Sequence, residues 1–183
     1  MTQERPSPNS SAPQGGPAAA RVIVVGLGNP VLGDDGVGWS VADEVERRLA
    51  AEAATGHAIS GVEVERLGVG GLRLMEFLTG YDAAILVDAA EFPDRPAGEV
   101  RSCALEELAD HAAGHLDSAH DASLRTALEM GRKLGASLPA SIHAVTIQAL
   151  STDVFGEELT PHVAAAVAVA ADEVMALLEA GRG

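Results

Sequence analysis

Apolar residues come along this chain in two rhythms. Val22-Ile-Val-Val25 and Ala83-Ala-Ile-Leu-Val-Asp88 are short, nearly unbroken apolar runs, as expected of strands buried on both faces. Val62 to Leu67 alternates apolar with acidic residues, which predicts a half-exposed strand, and Glu99 to Leu105 and Ile142 to Ile147 are read as two more. Between them the period becomes helical. Val37, Val41, Val45 and Leu49 mark one amphipathic helix, and Leu72, Leu74, Met75 and Leu78 a second that stops at Gly80. A third is predicted over Ser123 to Leu134. A long last one runs over Pro161 to Ala180, with Val163, Val167, Val174, Leu177 and Leu178 on its buried face. Glu106 to Ala122 is polar and rich in His, Asp and small residues, and predicts a short helical turn and a long loop. Strands alternating with helices imply an α/β fold, a three-layer α/β/α single domain with a twisted, mostly parallel (mixed) sheet. That domain spans residues 21–183. Residues 1–20, rich in Pro, Ser, Gly, Ala and Gln and without an apolar run, read as a disordered extension and not as a signal peptide.

The first strand breaks into Gly26-Leu-Gly-Asn-Pro-Val-Leu-Gly-Asp-Asp-Gly-Val-Gly38. The loop after the first strand of an open α/β sheet is a place where ligands bind. Gly26 and Gly28 begin like a dinucleotide fingerprint, but Val31 stands where the third glycine is required. Asp34 and Asp35 then lie between the glycines and the helix, where they would repel a pyrophosphate. A loop so charged suits a cation. The plainer reading is that the glycines make a turn and the aspartates cap the helix.

Charge and composition narrow the classes. Twelve basic residues against twenty-seven acidic give a net charge of −15, which argues against nucleic acid or an anionic membrane as partner. No stretch is long and apolar enough to span a membrane, and the expected location is cytoplasmic. With aromatics at 3%, the core must be built from Val, Leu, Ile and Ala. The single cysteine, Cys103, rules out an internal disulfide or a Cys-rich metal site, and in its alternating strand it reads as a small buried residue.

If the two buried strands are parallel neighbours, Asp35 (or Asp34) and Asp88 meet at one edge of the sheet. Asp88 after Ala-Ile-Leu-Val is costly as packing unless it is paired, although it could cap a turn. Of the six histidines, His57 lies in a polar linker, His143 in a strand and His162 in the first turn of a helix facing solvent. His111, His115 and His120 fall in the polar loop, and spacing does not choose among them. Two carboxylates and an imidazole make a site with open positions for a first-row divalent ion, or an acid–base cluster.

With these motifs in order, the chain resembles the [NiFe]-hydrogenase maturation endopeptidases over about residues 21 to 180. The resemblance rests on residues 26–38, on Ala83-Ala-Ile-Leu-Val-Asp-Ala89, on Ser118-Ala-His-Asp-Ala-Ser-Leu124 and on Gly156-Glu-Glu-Leu-Thr-Pro161. It implies a nickel-dependent processing endopeptidase that removes a C-terminal extension from the nickel-loaded large-subunit precursor. It further implies that Asp35, Asp88 and His120 are the metal ligands and catalytic groups. The nickel is recognised as substrate-bound, and a divalent ion in the free enzyme is compatible with the same residues. The family's Asp-Gly-Gly-Thr-like turn is replaced here by Arg66-Leu-Gly-Val-Gly-Gly71, with an arginine at or near the acid's place. That change bears on which hydrogenase is served and how the substrate's tail is held. Gly68 to Gly71 and the 111–122 loop are the expected substrate contacts. The alternative is a non-catalytic nickel-sensing or chaperone module for the same precursor.

Overall fold

The computed structural model describes residues 20–68, 70–108, 113–114 and 122–181. Strand β1 (Val22–Leu27) leads through a short 3-10 turn at Gly33–Gly36 into helix α1 (Val37–Ala54). Strand β2 (Val62–Leu67), helix α2 (Gly71–Leu78) and strand β3 (Ala83–Glu91) follow. Next come strand β4 (Val100–Ala104), the two-residue strand β5 (Ala113–Gly114) and helix α3 (Ala122–Lys133). Strand β6 (Ser141–Gln148) and helix α4 (Pro161–Ala180) complete the chain.

The sheet order is β2-β1-β3-β6-β4. β1 is parallel to β2 and β3, and β3 to β6, while β4 runs antiparallel to β6. The mostly parallel, mixed sheet is therefore the one expected. β5 is an addition that the sequence did not announce; it pairs antiparallel with Ala90 and Glu91.

Alternation on the central strands divides the core. Val24, Ile85, Val87, Val145 and Ile147 pack with Val37, Val41 and Val45 of α1 and with Val163, Ala170 and Val174 of α4. Ile23, Val25, Leu86, Ile142 and Ala144 face Leu74 and Leu78 of α2 and Leu124 and Leu128 of α3. Both faces of β1 and β3 are covered, which is why their sequences are continuous apolar runs. β2 stands at the edge and keeps Glu63 and Glu65 exposed.

From β1 the chain moves outward to β2, then returns past β1 to β3 on its other side. The β1/β3 boundary is thus the point where the strand order reverses, the position at which open α/β sheets bind ligands, beyond the carboxyl ends of the strands.

Candidate active site at the strand reversal

Close backbone packing sets the geometry. Gly26 and Gly38 touch, and a Cβ on Gly38 would collide with the Leu27 carbonyl and come within 2.6 Å of the Val87 carbonyl. The start of α1 is pressed on the ends of β1 and β3 at once. Gly28 has φ of +123°, and a Cβ there would run into the Asp35 carbonyl. Only glycine fits both the dihedral and the space. The backbone N–H of Asn29 donates to Asp35 Oδ2 at 2.7 Å, and that of Val31 to Asn29 Oδ1 at 3.2 Å. Asp35, 1% exposed, is therefore folded back against the turn that ends β1.

Its neighbour has a different occupation. Asp34 Oδ1 accepts the Thr160 backbone N–H at 2.7 Å; Oδ2 accepts the Thr160 hydroxyl at 2.9 Å and the Leu150 N–H at 3.0 Å. Gly33 N–H donates to the Gly156 carbonyl at 2.6 Å, and Gly156 N–H returns to Val31 at 3.1 Å. Asp34 thus ties the acidic turn to the segment between β6 and α4. The adjacent pair divides into an architectural acid and a second acid held at the strand end.

Asp88 was expected to end its strand. It does not, because β3 continues to Glu91, pairing on one side with β6 and on the other with β5. Its side chain accordingly lies on a sheet face, the one that carries Leu86 and is covered by α2 and α3. The pairing of β1 with β3, however, ends one residue short of that level, at Gly26 and Val87, while Leu27 pairs only with β2. Asp88 is fully buried just where the neighbouring strand gives way to the glycine turn. In register beside it is Thr146 of β6, 3% exposed, followed by Arg101 of β4. Nothing in the sequence singled out Thr146, because its place beside Asp88 comes from strand register alone.

His111, His115 and His120 lie outside the described residues. Both described ends of that stretch can be placed: β5 pairs beside the carboxyl end of β3, and α3 starts at Ala122. Among the described residues, no three His, Cys, Asp or Glu side chains are grouped to hold a metal ion. His57 follows the far end of α1, in an open depression lined by Glu52, Thr55 and Glu179. His143 is in register with Ile85, three residues before Asp88 and on the opposite face. His162 is exposed in the first turn of α4, as expected.

One expectation changes. Cys103 is partly exposed on β4, not buried. Its thiol is pushed up, first by desolvation and then by Glu107, so it is not an activated nucleophile. Arg66 turns to α1, donating to Asp43 and Glu46 at 2.6 Å each, and so leans on the sheet face opposite Asp88. The glycine turn that follows does reach the site's border. Gly28 N–H donates to the Leu67 carbonyl at 3.2 Å, and Gly68 sits against Gly28.

Proteins of known type resemble this chain in sequence or in fold. The HupD hydrogenase expression/formation protein of Bradyrhizobium diazoefficiens is 26% identical over 152 residues, 83% of this chain and 74% of that protein. The hydrogenase maturating endopeptidase HybD of E. coli superposes with a TM-score of 0.66 at 22% identity, over 87% of this chain and 92% of its own. The [NiFe] hydrogenase maturation protease HybD of Thermococcus kodakarensis gives 0.65 at 24% identity, over 86% and 99%. At these identities the two superpositions establish the fold. A sequence profile described as HycI, hydrogenase maturation protease, matches residues 39–177, which takes in Asp88 and begins just after the acidic turn. On that match across most of its length, the chain belongs to the HycI family of hydrogenase maturation proteases.

Proposed function

We propose that Asp35, Asp88 and His120 are the groups with which this maturation endopeptidase meets nickel held in the precursor of a [NiFe]-hydrogenase large subunit, whose C-terminal extension it removes. The observation carrying this reading is the pair of buried carboxylates supplied by two separate elements at the β1/β3 reversal. Two buried carboxylates brought to one strand reversal give the site a negative charge that suits a cation. Asp34, fully engaged by Thr160 and Leu150, is not part of the set. The resemblance selects His120, and β5, which precedes it in the chain, pairs beside the carboxyl end of β3. Two oxygens and one nitrogen suit a first-row divalent ion with positions left for other ligands. Bound there, the metal supplies a Lewis acid that orients and polarises the scissile carbonyl.

The chain's own part is positional. The Asn29 N–H fixes the Asp35 carboxylate, the Gly28 and Gly38 contacts fix the backbone around it, and Asp88 is fixed by its place in a central strand. No side-chain nucleophile is needed, in keeping with the unactivated Cys103.

The test is in vitro processing of the precursor, with and without nickel, read by intact mass. Loss of a C-terminal peptide only from the nickel-loaded precursor is expected. Asp35→Asn, Asp88→Asn and His120→Ala should each slow it by roughly a hundredfold or more. Wild-type rates in all three variants would refute the assignment. Tight binding without cleavage would instead make the chain a nickel-sensing or chaperone module.

A further inference from the structure

We infer that the segment from Leu150 to Glu158, clamped to the acidic turn by Asp34, is a docking rim for the protein substrate. Its occupant is an apolar stretch of the precursor beside the cleavage point, flanked by Lys or Arg; the inference rests on the proteolytic reading above.

Four of the nine exposed large apolar side chains among the described residues surround this junction. Phe155 is 84% exposed, Leu150 70%, Val154 62% and Val31 45%. Side chains this apolar gain nothing from solvent, and clusters of them mark interaction surfaces. An exposed phenylalanine is the kind of anchor that interfaces bury at their centre.

The rim is tied to the site and not merely near it. Asp34 receives Leu150 and Thr160 at the two ends of the segment, and the bonds between Gly33, Val31 and Gly156 fasten its tip. The next residue after Asp34 is the site acid Asp35. Near its Leu150 end the segment is also held by Glu91, three residues past Asp88, whose Oε1 accepts both the N–H and the hydroxyl of Thr152 at 2.8 Å. A polypeptide laid across Asp35 and Asp88 therefore meets this rim next.

Charge selects the occupant. Asp153, Glu157 and Glu158 are exposed around the apolar tip and belong to none of the described ion pairs. Three uncompensated acids oppose a second copy of this acidic chain and favour a substrate segment that brings cations beside its apolar residues. Asp34 is then a positioning residue, holding the rim at a fixed distance from Asp35.

The experiment is steady-state processing of nickel-loaded precursor by the full chain carrying Phe155→Ser, Phe155→Leu, or Val154→Ser with Phe155→Ser. The double variant should raise KM at least about tenfold with kcat within about twofold, while Phe155→Leu stays near wild type. Asp153→Lys with Glu157→Lys should raise KM further at low salt and converge on wild type at high salt. Unchanged KM in the double variant overturns the proposal, as does self-association of the wild type that Phe155→Ser abolishes. Capture of the precursor by immobilised enzyme is read in parallel. Should no cleavage occur at all, weaker capture by the double variant still supports the rim, and equal capture refutes it. Capture of nickel-free precursor reads the rim without the metal contact assigned to Asp35 and Asp88, so the two proposals fail separately.

Discussion

At the scale of single residues, the adjacent acids make opposite predictions. Asp34 accepts three hydrogen bonds from groups 116 and 126 residues away in sequence, two of them from backbone. Asp34→Ala leaves those part-buried donors unmet, and each lost bond to a charged acceptor costs about 1.5–3 kcal/mol. The bonds share one carboxylate and are not additive, so a loss of roughly 3 kcal/mol is expected, read as a lower urea midpoint with an unchanged slope. Asp35→Asn keeps an oxygen for the Asn29 N–H and should leave the midpoint nearly unmoved while processing fails. A midpoint that falls equally in both variants would contradict the division of labour. The residue pattern left Asp34 and Asp35 as alternatives, and only the resemblance chose Asp35. Both are aspartates in one glycine-rich turn, and what separates them is a partner more than a hundred residues downstream, which local pattern does not reveal.

Elements were legible wherever burial imposes a period. β1, β2, β6, α1 and α4 lie where the apolar spacing put them, since a strand covered on both faces and a helix covered on one leave distinct patterns. The misread boundary was the end of β3. Asp88 looked terminal because a charge follows five apolar residues, yet pairing with β5 and β6 carries the strand on. Neither β5 nor the register that sets Thr146 beside Asp88 has a local signature. On α1 a surface network can be tested directly. The Glu44 carboxyl is held down at about 2, well below 4.5, by hydrogen bonds from Arg47 and then Arg48, and Arg48 also bonds Asp172 of α4. A carboxyl lowered in the folded state contributes stability that is complete above its unfolded value and is lost as pH falls through its folded one. The melting difference between wild type and Glu44→Gln should therefore hold steady from neutral to about pH 5 and close as pH approaches about 2. A difference independent of pH across that window would show that the network contributes nothing through Glu44's charge.

For the molecule as a whole, the consequence lies in what folding brings together. Asp35 and Asp88 are far apart in the chain, and the turn that carries Asp35 meets β3 only when β1 and β3 pair and α1 is seated on both through Gly38. A divalent ion that uses them binds the folded chain and not the unfolded one, so it must stabilise the fold by mass action. At ten times its dissociation constant Ni²⁺ should add about 1.4 kcal/mol. The net charge of −15 complicates the measurement, because any dication gathers around so acidic a surface. Mg²⁺ at equal concentration carries the same charge but disfavours a nitrogen-containing site, so the difference between Ni²⁺ and Mg²⁺ isolates specific coordination from the general field. That difference in melting temperature should appear in wild type, vanish in Asp35→Asn and in Asp88→Asn, and persist in Asp34→Ala despite its lower starting point. Persistence in both site variants would remove the two acids from the metal's coordination, and its loss in Asp34→Ala would mean that the clamp, and not only the ligands, has to be intact for the ion to bind.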